Sequence, residues 1–70
     1  MTESVYKVIE LVGTSPESWE KAAAVAVAEA ARTLRDLRIA EVAQLDLQVG
    51  DDGQIAAYRT KLKVSFKYEH

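Results

Sequence analysis

Val5-Tyr6-Lys7-Val8-Ile9-Glu10-Leu11-Val12-Gly13-Thr14-Ser15-Pro16 reads as a strand that stops at a glycine and passes directly into a capped helix. The β-branched Val5, Val8, Ile9 and Val12 suit a pleated surface and predict a first strand over residues 4–12. Gly13 offers backbone angles that would clash for a residue with a side chain. Ser15 is a good helix N-cap, and Pro16 fits the first helical turn, where its missing N–H is no loss. Glu17 and Glu20 place negative charge near the positive end of the helix dipole.

The periodicity predicts a helix over residues 16–36. Trp19, Ala23, Ala26, Val27, Ala30, Leu34 and Leu37 recur at three- and four-residue spacing and form one apolar stripe. Its many alanines allow close approach to a sheet or a neighbouring helix. Arg32, Arg35 and Arg38 favour the negative end of the dipole. From Ile39 the period changes to two. A second strand over residues 38–49 alternates weakly, with Ala40 and Val42 on one face and Ile39, Ala43, Leu45, Leu47 and Val49 on the other. Gly50-Asp51-Asp52-Gly53 is a strong turn signal. A third strand over residues 54–68 has the cleanest pattern. Ala56, Tyr58, Thr60, Leu62, Val64, Phe66 and Tyr68 point one way, and Arg59, Lys61, Lys63, Ser65 and Lys67 the other.

The expected architecture is one α+β domain with element order β-α-β-β. Strands two and three make a long hairpin. Strand one lies beside strand three, giving a three-stranded antiparallel sheet of order 1-3-2 packed on the helix. Seventy residues make only a thin core, and a core of this size usually needs disulfides, a metal or oligomerisation. The chain has no cysteine, so oligomer contacts are the expected source of further burial. Apolar groups on the uncovered side of strand two are expected to meet other subunits.

A formal net charge of −2 gives no electrostatic case for general nucleic-acid binding. The strongly apolar residues 22–28 are too short a run to span a bilayer. Met1-Thr2-Glu3-Ser4 lacks the basic start and apolar run of a signal peptide, so a soluble cytoplasmic protein is expected, with no membrane partner. His70 is the single histidine and takes no role. Without cysteine or a Ser/His/Asp set, and without a phosphate-cradling glycine loop, enzyme action has little support.

The opening stretch, the helix, Glu41-Val42 and the closing Tyr58 … Lys63-Val64-Ser65-Phe66-Lys67 together resemble the dodecins over nearly the whole chain. The resemblance implies a homododecamer that binds and stores small molecules without catalysis. Typical members hold flavins (FMN or riboflavin) at subunit interfaces, with rings stacked between symmetry-related tryptophans and a glutamine on the ring edge. Some bacterial members are associated with coenzyme A. Here Ile39 stands at the position of the stacking tryptophan, and Arg59 at that of the glutamine. Isoleucine lacks a flat π surface, and arginine has no acceptor for the flavin imide N–H. Asp46 stands where several members carry a phosphate-binding arginine, and its charge would repel a phosphate.

The cofactor-site candidates are therefore Ile39, Arg59, Gln44 and Lys67, with the flavin contacts weakened. These departures also resemble a subgroup, the calcium dodecins, described as binding calcium. Calcium prefers several oxygen ligands, and Asp46, Asp51, Asp52 and Glu41 are the metal candidates, with Asp36 a further carboxylate. Symmetry could multiply one carboxylate into a ring of ligands, although the spacing is not that of an EF-hand loop. Plainer readings stand beside these. Trp19 belongs to core or interface packing, Asp51-Asp52 to a solvated turn, and the strand-three cations to a wet face.

Overall fold

The computed structural model describes residues 3–67. Strand β1 spans Tyr6–Ser15, helix α1 Trp19–Thr33, strand β2 Leu37–Val49 and strand β3 Ile55–Lys67. The three strands form an antiparallel sheet of order β1-β3-β2, as the hydrophobic pattern predicts. Tyr68 and His70 lie outside the described residues.

The β1–α1 junction differs from its sequence reading. β1 continues through Gly13 to Ser15, and the helix begins three residues later than Pro16. The residue before a proline is pushed into extended conformation, which keeps Ser15 in the strand. The Ser15 hydroxyl accepts from the Glu17 N–H at 3.0 Å and closes the turn. The N-cap is Ser18, whose extended backbone lets its hydroxyl accept from the Lys21 N–H at 3.0 Å. Gly13 is not in the left-handed region; its requirement is steric. A Cβ there would fall on the Ala22 carbonyl oxygen and reach Ala26 Cβ at 3.0 Å. Helix and strand thus touch through Gly13 and the buried Ala22 and Ala26.

At its other end α1 stops at Thr33, short of the expected residue 36, and Leu34 caps it through an N–H bond to the Ala30 carbonyl. Leu37 belongs to β2. Asp36 turns the chain with φ 57°, a conformation that short polar side chains tolerate. Its carbonyl accepts from the Lys67 N–H at 3.4 Å. The core is small: Ala26, Leu62 and Val64, flanked by Ile9, Leu11, Ala23, Val27, Leu34 and Leu37.

β2 departs most from its alternation. Its register against β3 shifts between Leu37 and Ile39, between Val42 and Gln44, and between Gln48 and Val49. Arg38 and Ala43 are extra residues, and each such bulge exchanges the faces of the strand residues beyond it. Ile39 therefore sits beside Ser65 on the face away from the helix, as expected. Leu45 and Leu47 instead pair with Thr60 and Tyr58 on the helix side. The expectation that they share the face of Ile39 is corrected by the bulge at Ala43.

The helix is too short to cover this sheet. Its 15 residues run about 22 Å, whereas each hairpin strand of 13 residues runs about 43 Å. The chain measures 56 × 20 × 16 Å, with a radius of gyration of 14.6 Å. A compact chain of this length would have a radius of gyration near 11 Å. α1 lies mainly over β1 and β3 and touches β2 through Trp19, so Val42, Leu45 and Leu47 on the helix side of β2 stay about half exposed. No helix among the described residues is long and apolar enough to cross a membrane.

Candidate functional site

Side chains from α1, β2 and β3 converge where the helix starts. The Trp19 indole Nε1–H donates to the Asp46 carbonyl at 3.0 Å, meeting the need of a half-buried indole for an acceptor. The Thr60 hydroxyl donates to the Trp19 carbonyl at 2.9 Å. The Trp19 ring meets Tyr58 edge to face, with centroids 5.2 Å apart and planes at 76°. Trp19 is thereby fixed as the pin between helix and hairpin, in keeping with a packing role.

The Asp46 side chain does something else. Its carboxylate takes the Arg59 guanidinium in a fork, Nε to Oδ1 at 2.8 Å and Nη2 to Oδ2 at 3.3 Å. Both partners are about half exposed, so the pair contributes roughly 0–1 kcal/mol to stability. Its larger consequence is orientation, because a forked guanidinium is held in one plane. Nearby on the same face, Lys61 approaches Glu10 at 3.7 Å.

Within one chain the cofactor candidates fall into two groups on the face away from the helix. Ile39 lies beside Ser65, with Lys67 two residues further along β3. Arg59 lies beside Asp46, with Gln44 beside the neighbouring Lys61. Six β3 residues separate the level of Ile39 from that of Arg59, roughly 20 Å of strand. The metal candidates are also spread out. Glu41 lies beside Lys63, Asp46 is engaged by Arg59, and Asp51 and Asp52 sit at the hairpin tip. Asp52 Oδ1 accepts from the Gln54 N–H at 2.9 Å, and Gly53, at φ 78°, completes that turn. Among the described residues no three His, Cys, Asp or Glu side chains gather into a metal-binding group.

Sequence reading missed the Asp46–Arg59 fork and the bond from Trp19 to β2. The first was hidden by the bulge at Ala43, which sets the register. The second had a signal in the indole N–H, which seeks a partner when it is removed from water.

The dodecin family model matches residues 5–69. The chain belongs to the dodecin family. Calcium dodecin of Mycobacterium tuberculosis is 55% identical over 64 residues, 91% of this chain and 89% of that protein. The crystal structure of that calcium-chelating antigen, described as having a novel calcium-binding site, matches with a TM-score of 0.84 at 53% identity, covering 94% of this chain and 93% of that one. The structure of dodecin from Streptomyces coelicolor matches with a TM-score of 0.91 at 41% identity, over 100% of this chain and 99% of that chain. The β-α-β-β order and the 1-3-2 sheet are thus the dodecin fold.

Proposed function

We propose that this chain is one subunit of a homododecameric shell that binds and stores a small molecule at the contacts between copies. The observation that carries this reading is the split of Ile39 and Arg59 along one uncovered sheet face. A planar ligand that touches both residues must take them from two copies. The role is sequestration: a ligand enclosed between subunits is shielded from solvent and from reaction. Holding rather than converting the ligand agrees with the lack of cysteine and of any histidine before His70. A cytoplasmic protein without nucleic-acid or membrane partners remains the setting proposed.

The residues present fit a family-typical flavin site poorly. Ile39 supplies apolar cover without a stacking plane, and the Arg59 guanidinium is already forked by Asp46. Flavin, as FMN or riboflavin, is therefore held weakly, with Gln44 and Lys67 as the remaining polar contacts. Coenzyme A ranks behind it. Titration of riboflavin fluorescence tests this reading. Ile39→Trp combined with Arg59→Gln should tighten binding at least tenfold over the native chain. An intact shell with no gain in affinity would show that the site is elsewhere.

The calcium-chelating relative favours a second reading, in which the shell binds calcium or serves as structure alone. Because Glu41, Asp46, Asp51 and Asp52 do not gather within one chain, such a site needs carboxylates from several copies. A saturable calorimetric titration and a melting temperature that rises with calcium would support this. A melt indifferent to both calcium and chelator would remove it.

A further inference from the structure

The sheet face away from the helix carries its charges in a fixed order. Along β3 its cations are Arg59, Lys61 and Lys63, with Lys67 set apart beyond Ser65 and opposite Tyr6. The first three are matched by carboxylates on the flanking strands. Asp46 forks Arg59 at 2.8 and 3.3 Å, and Glu10 approaches Lys61 at 3.7 Å. Lys63 has Glu10 across from it on β1 and Glu41 across from it on β2. Side chains directly opposite on paired strands stand about 4.5–5.5 Å apart at Cβ, near enough for charges to offset one another. Cations and carboxylates therefore balance over this stretch. The exposed, neutral Gln44 and Gln48 stand among them. We propose that this stretch selects an uncharged ligand over a phosphate-bearing one, with Asp46 setting that preference at Arg59. This rests on the small-molecule reading above and names the charge class of its ligand.

Arg59 is the group here best shaped for a phosphate, because a planar guanidinium donates two parallel bonds at once. The fork commits its Nε and Nη2 to Asp46. A phosphate reaches those donors only by displacing the carboxylate, and then lies beside a group of its own sign. Such a like-charge contact works against the wrong ligand. Lys61 offers no substitute, since Glu10 stands next to it. An uncharged ligand meets neither obstacle. Gln44 and Gln48 each present a donor and an acceptor, and the remaining N–H groups of Arg59 are held in one plane for a carbonyl oxygen. Both members of the fork are about half exposed, so the preference is modest and weakens with salt.

Riboflavin and FMN test the preference, because they share one ring system and differ by the phosphate. In fluorescence titrations of the native protein at low ionic strength, riboflavin should bind about fivefold more tightly than FMN, the size of effect one nearby charge has in water. High salt should narrow that gap. Asp46→Asn keeps the side chain's shape and frees Arg59; it leaves the Asp46 carbonyl in place for Trp19. FMN should then gain about fivefold relative to riboflavin. Adding Arg59→Gln to Asp46→Asn should take most of that gain away, which separates a released guanidinium from the mere loss of a negative charge. Circular dichroism checks folding, and Asp46→Ser repeats the test if the asparagine variant does not fold. Native protein that binds FMN as tightly as riboflavin, or more tightly, would overturn the proposal. So would an Asp46→Asn variant whose affinities for the two flavins move together, or a double variant that keeps the whole gain. Failure of the native protein and every variant to bind either flavin would instead overturn the flavin reading itself, and this proposal with it.

Discussion

Leu62 and Val42 sit side by side on β3 and β2, on one side of one sheet, yet Leu62 is 1% exposed and Val42 52%. Their neighbours repeat the contrast: Thr60 is 0% exposed and Leu45 49%. Leu62 and Val42 are both aliphatic, and the polar Thr60 is buried while the apolar Leu45 is not, so the difference lies in what covers them. α1 touches β2 through Trp19 at its start, and most of the helix side of β2 beyond that contact is apolar and half exposed. Val42, Leu45 and Leu47 are already about half buried, so leaving the rest in water forgoes roughly half of the 1.5–3 kcal/mol that full burial of each would contribute. The covered half makes the fold of one chain, and the open half is the surface that the proposed assembly would cover.

Substitutions on the two halves should separate these roles. Leu62→Ala removes a fully buried side chain from the small core and should cost about 2–5 kcal/mol in chemical denaturation at fixed chain concentration. A loss under about 1 kcal/mol, well below that range, would mean that the covered half is not the core. Gly13→Ala forces a methyl group onto the Ala22 carbonyl, and should cost about 1–3 kcal/mol as helix and strand move apart. Trp19→Phe keeps the ring but removes its bond to the Asp46 carbonyl, for about 1 kcal/mol. Asp46→Asn breaks the exposed charge pair with Arg59 and should shift stability by less than about 1 kcal/mol. With Arg59 released, however, affinity for an anionic flavin such as FMN should rise by more than affinity for riboflavin. Equal responses to the two flavins would remove Arg59 from the site.

The covered half was legible in the sequence. Strand β3 keeps strict alternation through Thr60, Leu62 and Val64, and an unbroken pattern fixes both face and partner. The open half was less so. Arg38 and Ala43 are bulge residues, and nothing in their identity marks them as extra. Weak alternation in β2 was the one trace they left, and the faces of Leu45 and Leu47 were therefore misassigned. At the helix start, Ser15 and Ser18 both suit a cap. The choice falls to Ser18 because Pro16 holds Ser15 extended. Gly13 was recognised as special for the wrong reason, since a close approach to Ala22 depends on packing that local sequence does not encode. Of the candidate residues, Ile39 and Arg59 were read from alternation onto the face away from the helix, where they lie. The fork from Arg59 to Asp46 depends on register across the bulge and could not be read beforehand.

Native mass spectrometry of the unmodified chain at low micromolar concentration tests the central claim most directly. The account predicts a closed assembly of twelve chains, each of 7.7 kDa, with little free chain. A folded single chain with native circular dichroism at that concentration would contradict it, because the open half of the sheet would then be stable in water alone.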